Sequence, residues 1–150
     1  LSSQRIRADM EAKVADLPFE TDYLHAFDEI TRLWVEFYYD NPRDRMLQIA
    51  VTLEHDPHAL EAAREGVNRH YRELMGAIID IGIMLGHLRA DIDRDAVVAM
   101  CILLEPHIAL APHVRGLDPL LDLEGSTREY AVKTAQRLAH VIIEQYLVEK

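Results

Sequence analysis

The chain's 150 residues suffice for one domain with a substantial core, and 49% of them are apolar against 28% charged, the balance of a soluble globular protein. Sixteen Lys and Arg against twenty-six Asp and Glu leave a net charge of -10, which excludes a generally basic nucleic-acid binder. The single cysteine, Cys101, rules out an intrachain disulfide and agrees with a cytoplasmic location.

The sequence contains no secretory signal segment, and no apolar run approaches the roughly 18 residues that a membrane span needs. Glu105 interrupts the longest of these runs. We therefore expect no membrane partner. Because the first residue is Leu1 rather than methionine, we also expect the chain to be a fragment or a processed product.

Apolar periodicity and helix-terminating residues predict about six helices and no β-strand of useful length. The predicted helices are Leu1–Asp16, a second from Thr21 or Asp22 to Asp40, Arg43–Leu53, Pro57–Leu85, Arg94–Val114 and Ser126–Glu149. The fold class is therefore all-α.

Proline, glycine and capping residues set the predicted boundaries. Asp56 is expected to cap the fourth helix, with Pro57 at its first position, and Gly86 to end it. The three glycines inside this long helix, at 66, 76 and 82, are expected to permit a bend or a close helix approach.

Capping residues and prolines also set the predicted boundaries of the last two helices. Asp93 caps the fifth helix, Pro106 is expected to kink it, and Pro112 to disrupt its end. The sixth helix is capped by Ser126 or Thr127, with Glu129 completing a capping box in the first case.

The junction Gly86-His87-Leu88-Arg89-Ala90-Asp91-Ile92-Asp93 precedes an apolar helix, a loop and a last amphipathic helix. In this pattern, and in the order of an aromatic-rich, a short and a long helix before it, the chain resembles the C-terminal regulatory domain of TetR-family transcriptional regulators. The resemblance covers essentially the whole chain and consists of pattern and helix order.

This resemblance implies a homodimer in which the last two helices of each chain form a four-helix bundle, together with a small-molecule effector bound inside each subunit. Residues 1–17 would be a connecting helix, 18–92 the pocket helices and 93–150 the dimerisation hairpin. Repression is the commoner mode in the family. Ligand binding would shift the helices and thereby change DNA binding.

The chain departs from the family at its N-terminus, where nothing corresponds to the helix-turn-helix module. If the resemblance holds, we expect that this module has been removed, is disordered or was never present. We expect DNA binding only through such a module and not by this chain alone.

The predicted ligand site combines aromatic and methionine side chains with three polar residues. Its members are Trp34, Phe37, Tyr38, Met46, His70, Tyr71, Met75, Met100, Glu105 and His107, and Met84 is a further methionine that belongs with them. Aromatic residues at helical spacing commonly pack as plain core, which is the competing interpretation. Methionine is adaptable at binding surfaces, so the set suits an apolar or aromatic ligand.

Glu105 and His107 stand out because they lie in the apolar fifth helix on either side of Pro106, which leaves the Ile102 carbonyl without its helical partner. A buried carboxylate is costly unless it is paired. Glu105 could accept a hydrogen bond from His70, an arginine, a tyrosine or a ligand. The alternative is a partly exposed pair at a dimer rim.

No metal, cofactor or catalytic residue is predicted. The pairs His55/His58 and His107/His113 have poor spacing for one metal ion, and neither HExxH nor CxxC occurs. Phosphate loops, nucleophile elbows and paired carboxylates are missing too, so we expect no enzyme.

The sixth helix carries two usable faces, a broad stripe and a row of alanines, which favours an interface. The predicted dimer-interface residues are Tyr130, Thr134, Leu138, Val141, Ile142 and Tyr146. Two other functions stay open: a small all-α enzyme or cofactor-binding protein that uses Glu105, His107 and His70, and a helical interaction module without a ligand.

Overall fold

The computed structural model describes residues 2–56, 58 and 61–149. For residues 2–7, 52, 63, 64, 67 and 68 it describes the backbone only. This part of the chain is helical and confirms the prediction of an all-α fold. The helices are α1 (Ser2–Ala15), α2 (Tyr23–Asp40), α3 (Pro42–Leu53), α4 (Glu61–Met84), α5 (Arg94–Leu110) and α6 (Arg128–Ile143). Short 3-10 turns, Ala111–His113 and Glu144–Tyr146, follow α5 and α6.

Side-chain caps start three of these helices. Asp22 accepts from the backbone N–H of His25 at 3.1 Å, and Asp93 accepts from that of Ala96 at 3.2 Å. Thr127 Oγ1 accepts from the N–H of Tyr130 at 3.2 Å, so of the two predicted caps it is Thr127 that acts. The alternative with Ser126 and Glu129 is not formed, because Ser126 precedes the cap.

The predicted stops also act. Gly86 adopts φ +78, which a residue with a Cβ rarely does, and the N–H groups of His87 and Leu88 both donate to the Gly82 carbonyl at 2.9 Å. Helix α5 continues through Pro106 and ends at Leu110, where the chain tightens into the 3-10 turn that contains Pro112.

The start of α4 differs from the prediction. In the described part of the chain the helix begins at Glu61, and Pro57 lies outside the described residues. Asp56 accepts from the N–H of His58 at 2.9 Å and so forms a local turn before the helix.

The predicted last helix is too long, because α6 ends at Ile143 rather than at Glu149. Beyond the 3-10 turn the backbone pairs with the junction between α4 and α5. The N–H of Arg89 donates to the Tyr146 carbonyl, and the N–H of Val148 donates to the His87 carbonyl, both at 2.9 Å. These non-local bonds replace the helical ones.

Helix α2 lies at the centre of the fold, packed mainly on α6 and also on α5 and α3, while α4 packs on α5. The most deeply buried large side chains come from α2, α4, α5 and α6: Phe27, Met75, Ile78, Ile79, Leu110 and Ile143. Helix α1 contributes as well, since Met10 and Val14 belong to the core. The predicted connecting helix is therefore also a packing element.

The Tyr23 side chain of α2 packs against α4 at Gly82. The Tyr23 hydroxyl donates to the Ile78 carbonyl at 2.8 Å, and a Cβ added to Gly82 would lie 2.6 Å from Tyr23 Cζ. Only glycine admits the tyrosine ring at this position.

The stretch Arg94–His113, which is α5 with its 3-10 turn, has 20 residues and is apolar enough by length and composition to cross a membrane. This corrects the expectation that no segment approaches that length. Half of the stretch is buried inside the protein, as the core helix of a water-soluble protein also is.

Candidate ligand-binding site

A buried carboxyl group marks the candidate site. Glu105 lies on the face of α5 that points into the core, in register with Val98, Cys101 and Ala109 at spacings of three and four. Its residue exposure is 6%, and none of the described contacts gives its carboxyl a hydrogen-bond partner or an ion pair. Burial raises the pKa of Glu105 from 4.5 to about 7.

A buried pair of tyrosines joins two other helices, and Tyr71 of this pair lies near the carboxyl. The hydroxyl oxygens of Tyr38 in α2 and Tyr71 in α4 lie 3.1 Å apart, and both side chains are buried. Burial raises the pKa of Tyr38 to about 12. The pKa of Tyr71 is raised well above its usual value, chiefly by burial, then by Tyr38 and by the nearby Glu105.

The hydroxyl pair has hydrogen-bonding capacity left over. Each tyrosine carries one O–H, and the bond between Tyr38 and Tyr71 uses only one of the two hydrogens. The remaining hydrogen belongs to a buried donor, and Tyr71 of this pair lies near the buried carboxyl of Glu105. The site therefore offers both a donor and a titratable acceptor within an apolar interior.

Aromatic rings line the same region. The rings of Trp34 and Tyr71 have centroids 5.1 Å apart at 41°, and the ring of His70 lies 6.2 Å from that of Trp34. His70 Nδ1 lies 3.7 Å from Glu11 Oε1 of α1, and no contact is described between His70 and Glu105. A hydrogen bond between His70 and Glu105 therefore stays a prediction, and the described neighbour of the His70 ring nitrogen is Glu11.

Cys101, one turn before Glu105, is a neighbour that the sequence analysis did not assign to the site. Its thiol is fully buried, and burial with the nearby Glu105 raises its pKa to about 12. The thiol is therefore protonated at neutral pH and is a poor nucleophile. Its position four residues before Glu105 on the same apolar helix was the sequence signal that could have identified it as a neighbour.

The other predicted ligand residues are divided between interior and surface. Met75 is buried in the core, and Phe37 and Met100 are partly buried against it. Met46 is 69% exposed on α3, and Met84 is also exposed. His107 is exposed, with Nδ1 at 2.8 Å from the Leu103 carbonyl. Met46, Met84 and His107 therefore lie outside the buried cluster.

The predicted interface residues are divided in the same way. Tyr130 and Val141 are exposed, and Leu138 and Tyr146 are partly buried. Thr134 and Ile142 are buried within the subunit itself, so they do not lie on its surface. Helix α5 instead exposes Leu103, which sequence reasoning did not select.

An open cleft of about 510 Å³ lies between α2 and α6, lined by Asp28, Gln136, Arg137, His140, Val141 and Glu144. His140 bridges two carboxylates: Nε2 lies 2.5 Å from Asp28 Oδ1, and Nδ1 lies 3.4 Å from Glu144 Oε1. Gln136 Nε2 donates to the Asp28 carbonyl at 3.1 Å. These contacts tie the two helices together.

Metal ligands are not gathered at either place. Within the described residues, no group of three or more His, Cys, Asp or Glu side chains could hold a metal ion.

Comparison of the chain with protein-family models, with curated proteins and with solved structures finds no match.

Proposed function

We propose that this chain is the ligand-sensing and dimerisation domain of a TetR-like transcriptional regulator, with a small, largely apolar or aromatic effector bound next to Glu105. The observation that carries the proposal is this carboxyl group, which is buried without a described partner and lies near Tyr71 of the Tyr38–Tyr71 pair. A core that served stability alone would gain by replacing such a carboxyl with an apolar side chain. A bound ligand that supplies a partner for the Glu105 carboxyl would explain why this group is kept in the core.

The arrangement of the helices supports transmission of a ligand signal. Glu105, Tyr38 and Tyr71 come from α5, α2 and α4, so an effector that contacts all three would favour one relative placement of these helices. Helix α5 carries Glu105 on its inner face and Leu103 on its outer face. A shift of α5 would therefore reach the surface directly.

In this proposal the chain forms a homodimer through the outer faces of α5 and α6. Leu103 on α5 is 66% exposed and Val141 on α6 is 70% exposed, and large apolar side chains at such exposure favour contact with another surface. DNA binding, in a cytoplasmic regulator that acts as a repressor, would be supplied by an N-terminal helix-turn-helix module. No metal or cofactor is needed.

The effector part is tested by fluorescence, because Trp34 is the only tryptophan and lies beside the site. A library of small aromatic and aliphatic compounds should contain ligands that change Trp34 emission saturably and raise the melting temperature. The Glu105→Gln variant should lose affinity for these ligands. Glu144→Gln, which alters an exposed carboxylate in the open cleft between α2 and α6, is the matched control.

The dimer part is tested by sedimentation velocity at micromolar concentration, where a dimer is expected. A clean monomer would count strongly against the proposal, as would a library without one saturable ligand.

A second function, that of a small all-α enzyme, is favoured by one observation. A carboxyl with a pKa of about 7 suits general acid–base catalysis at neutral pH. Against it, His107 is exposed and points away from the cluster, and the Cys101 thiol is protonated. Elemental analysis and an absorbance spectrum of the purified protein distinguish the two, since a bound metal or chromophore would favour the enzyme.

A further inference from the structure

The open cleft between α2 and α6 contains a charged group that no neighbouring side chain engages. Its two carboxylates, Asp28 and Glu144, both contact His140, at 2.5 Å and 3.4 Å. Gln136 donates to the backbone carbonyl of Asp28. Arg137 lines the same cleft, and it forms no hydrogen bond or ion pair with any described residue. The cleft therefore offers a guanidinium group whose N–H donors are unused.

Helical spacing places three side chains in one row on the α6 wall of the cleft. Val141 follows Arg137 by four residues, and Glu144 follows Val141 by three and keeps helical dihedrals. Val141 is 70% exposed. Along α6 the wall therefore presents a cation, an apolar surface and an anion, over about 10 Å.

This order of groups selects ligands by their charge. A guanidinium fork matches a carboxylate in a bidentate pair, and arginine keeps its charge at any pH that a protein meets. Val141 offers apolar contact to the part of a ligand that follows its carboxylate. The carboxylate of Glu144, at the far end of the row, would repel a second negative charge. The volume of about 510 Å³ is enough for a small organic molecule.

We infer that the cleft between α2 and α6 binds a small monocarboxylate with an apolar chain, whose carboxylate pairs with Arg137 and whose chain lies along Val141 towards Glu144. Binding is non-covalent and transfers no proton, because the guanidinium and the carboxylate both carry their charges at neutral pH. The site lies outside the core that holds Glu105, so the inference does not depend on the effector proposed there.

Val141 also belongs to the outer face of α6 through which the proposed dimer forms. A ligand in the cleft and a partner subunit would therefore share this side chain. The binding experiment is accordingly made on two proteins, the wild type and Leu103→Glu. In Leu103→Glu the charge on the outer face of α5 weakens the proposed dimer and leaves the cleft unchanged.

The experiment compares four eight-carbon probes of different charge at pH 7: octanoate, octan-1-ol, octylammonium and octanedioate. Titration into the isotope-labelled whole chain is followed by amide chemical shifts and by calorimetry. We expect octanoate to bind saturably, with shift changes centred on residues 136–144 and on Asp28. It should bind more tightly than the alcohol, which lacks the ion pair, than the ammonium, which Arg137 repels, and than the dianion, which Glu144 repels.

Three substitutions assign the binding to the row on α6. Arg137→Gln should lower the affinity for octanoate by about ten- to hundredfold, because a charge-assisted hydrogen-bonded pair is lost. Arg115→Gln is the matched control, since it removes another exposed arginine and changes the net charge equally, and it should keep the affinity. Glu144→Gln should narrow the difference between octanedioate and octanoate.

The inference would be overturned by octan-1-ol or octylammonium binding as tightly as octanoate, or by equal losses in Arg137→Gln and Arg115→Gln. Absence of saturable octanoate binding to both proteins would overturn it too, as would shift changes centred on α5 around Glu105. Binding to Leu103→Glu alone would support it and show that the partner subunit covers the cleft. A monomeric wild type that binds octanoate at Arg137 would contradict the proposed dimer and keep this inference.

Discussion

The hydroxyl oxygens of Tyr38 and Tyr71 lie 3.1 Å apart inside the core, joining α2 to α4 across 33 residues of sequence. This bond places a polar pair where only apolar contacts would be expected, and Tyr71 of the pair lies near the carboxyl of Glu105. The pair and the carboxyl together form the polar centre of an otherwise apolar interior. Their energetics can be tested one group at a time.

Replacing one tyrosine of the pair should destabilise the fold by leaving its partner hydroxyl buried and unpaired. We expect Tyr38→Phe and Tyr71→Phe each to lower the free energy of unfolding by about 1–3 kcal/mol. The double variant should cost less than the sum, by about 0.5–3 kcal/mol. Urea denaturation of all four proteins measures this coupling. Strictly additive losses would show that the hydroxyl bond contributes nothing.

Glu105 should make stability depend on pH. Its folded pKa of about 7 lies above the ordinary 4.5, so the folded state holds this proton more firmly than the unfolded state. The firmer binding of this proton stabilises the folded state fully below pH 4.5. This stabilisation is lost as pH rises towards 7, by about 3 kcal/mol in total. Urea unfolding of wild type and Glu105→Gln between pH 4.5 and 8 isolates this contribution.

The variant should match wild type at the acid end and exceed it above pH 7, because a neutral amide carries no buried charge. A constant difference across the whole range would contradict the assigned pKa. Glu144→Gln, at an exposed position, controls for the loss of one carboxylate.

Two glycines of α4 should respond oppositely to alanine. At Gly82 the new Cβ would lie 2.6 Å from Tyr23 Cζ and 2.7 Å from Leu88 Cδ1, so these packed side chains must shift, at a cost of about 1–3 kcal/mol. At Gly66 nothing lies within 4 Å of the added atom, and the better helix propensity should stabilise the protein by up to about 1 kcal/mol. Thermal unfolding of both variants tests whether stability falls in Gly82→Ala and rises in Gly66→Ala. If Gly82→Ala left the stability unchanged, the Tyr23 and Leu88 side chains would be free to move aside.

The proposed dimer should depend on the outer faces of α5 and α6. Leu103→Glu and Val141→Glu should each shift the protein towards monomer in sedimentation velocity while leaving its circular dichroism unchanged, since both side chains are exposed in the subunit. Met46→Glu on α3 introduces the same charge at a position of equal exposure and should remain dimeric. Equal effects of all three substitutions would place the interface elsewhere.

Much of the secondary structure follows from local chemistry. Asp22 and Asp93 cap their helices, Gly86 stops α4 and Pro112 falls in the turn after α5, because capping and backbone restrictions act within a few residues. The end of α6 could not be predicted in this way. Its last residues leave the helix to pair with His87 and Arg89, which are far away in sequence.

The candidate site shows the same division. The sequence by itself determined that Glu105 is an acidic residue within an apolar helix, and an apolar helix packed on two sides buries whatever its inner face carries. Only the tertiary structure decided that Tyr38 and Tyr71 meet beside it, that Met46 and His107 face water, and that Thr134 and Ile142 turn inward. Periodicity defines the faces of a helix, but which face is covered depends on how the neighbouring helices pack against it.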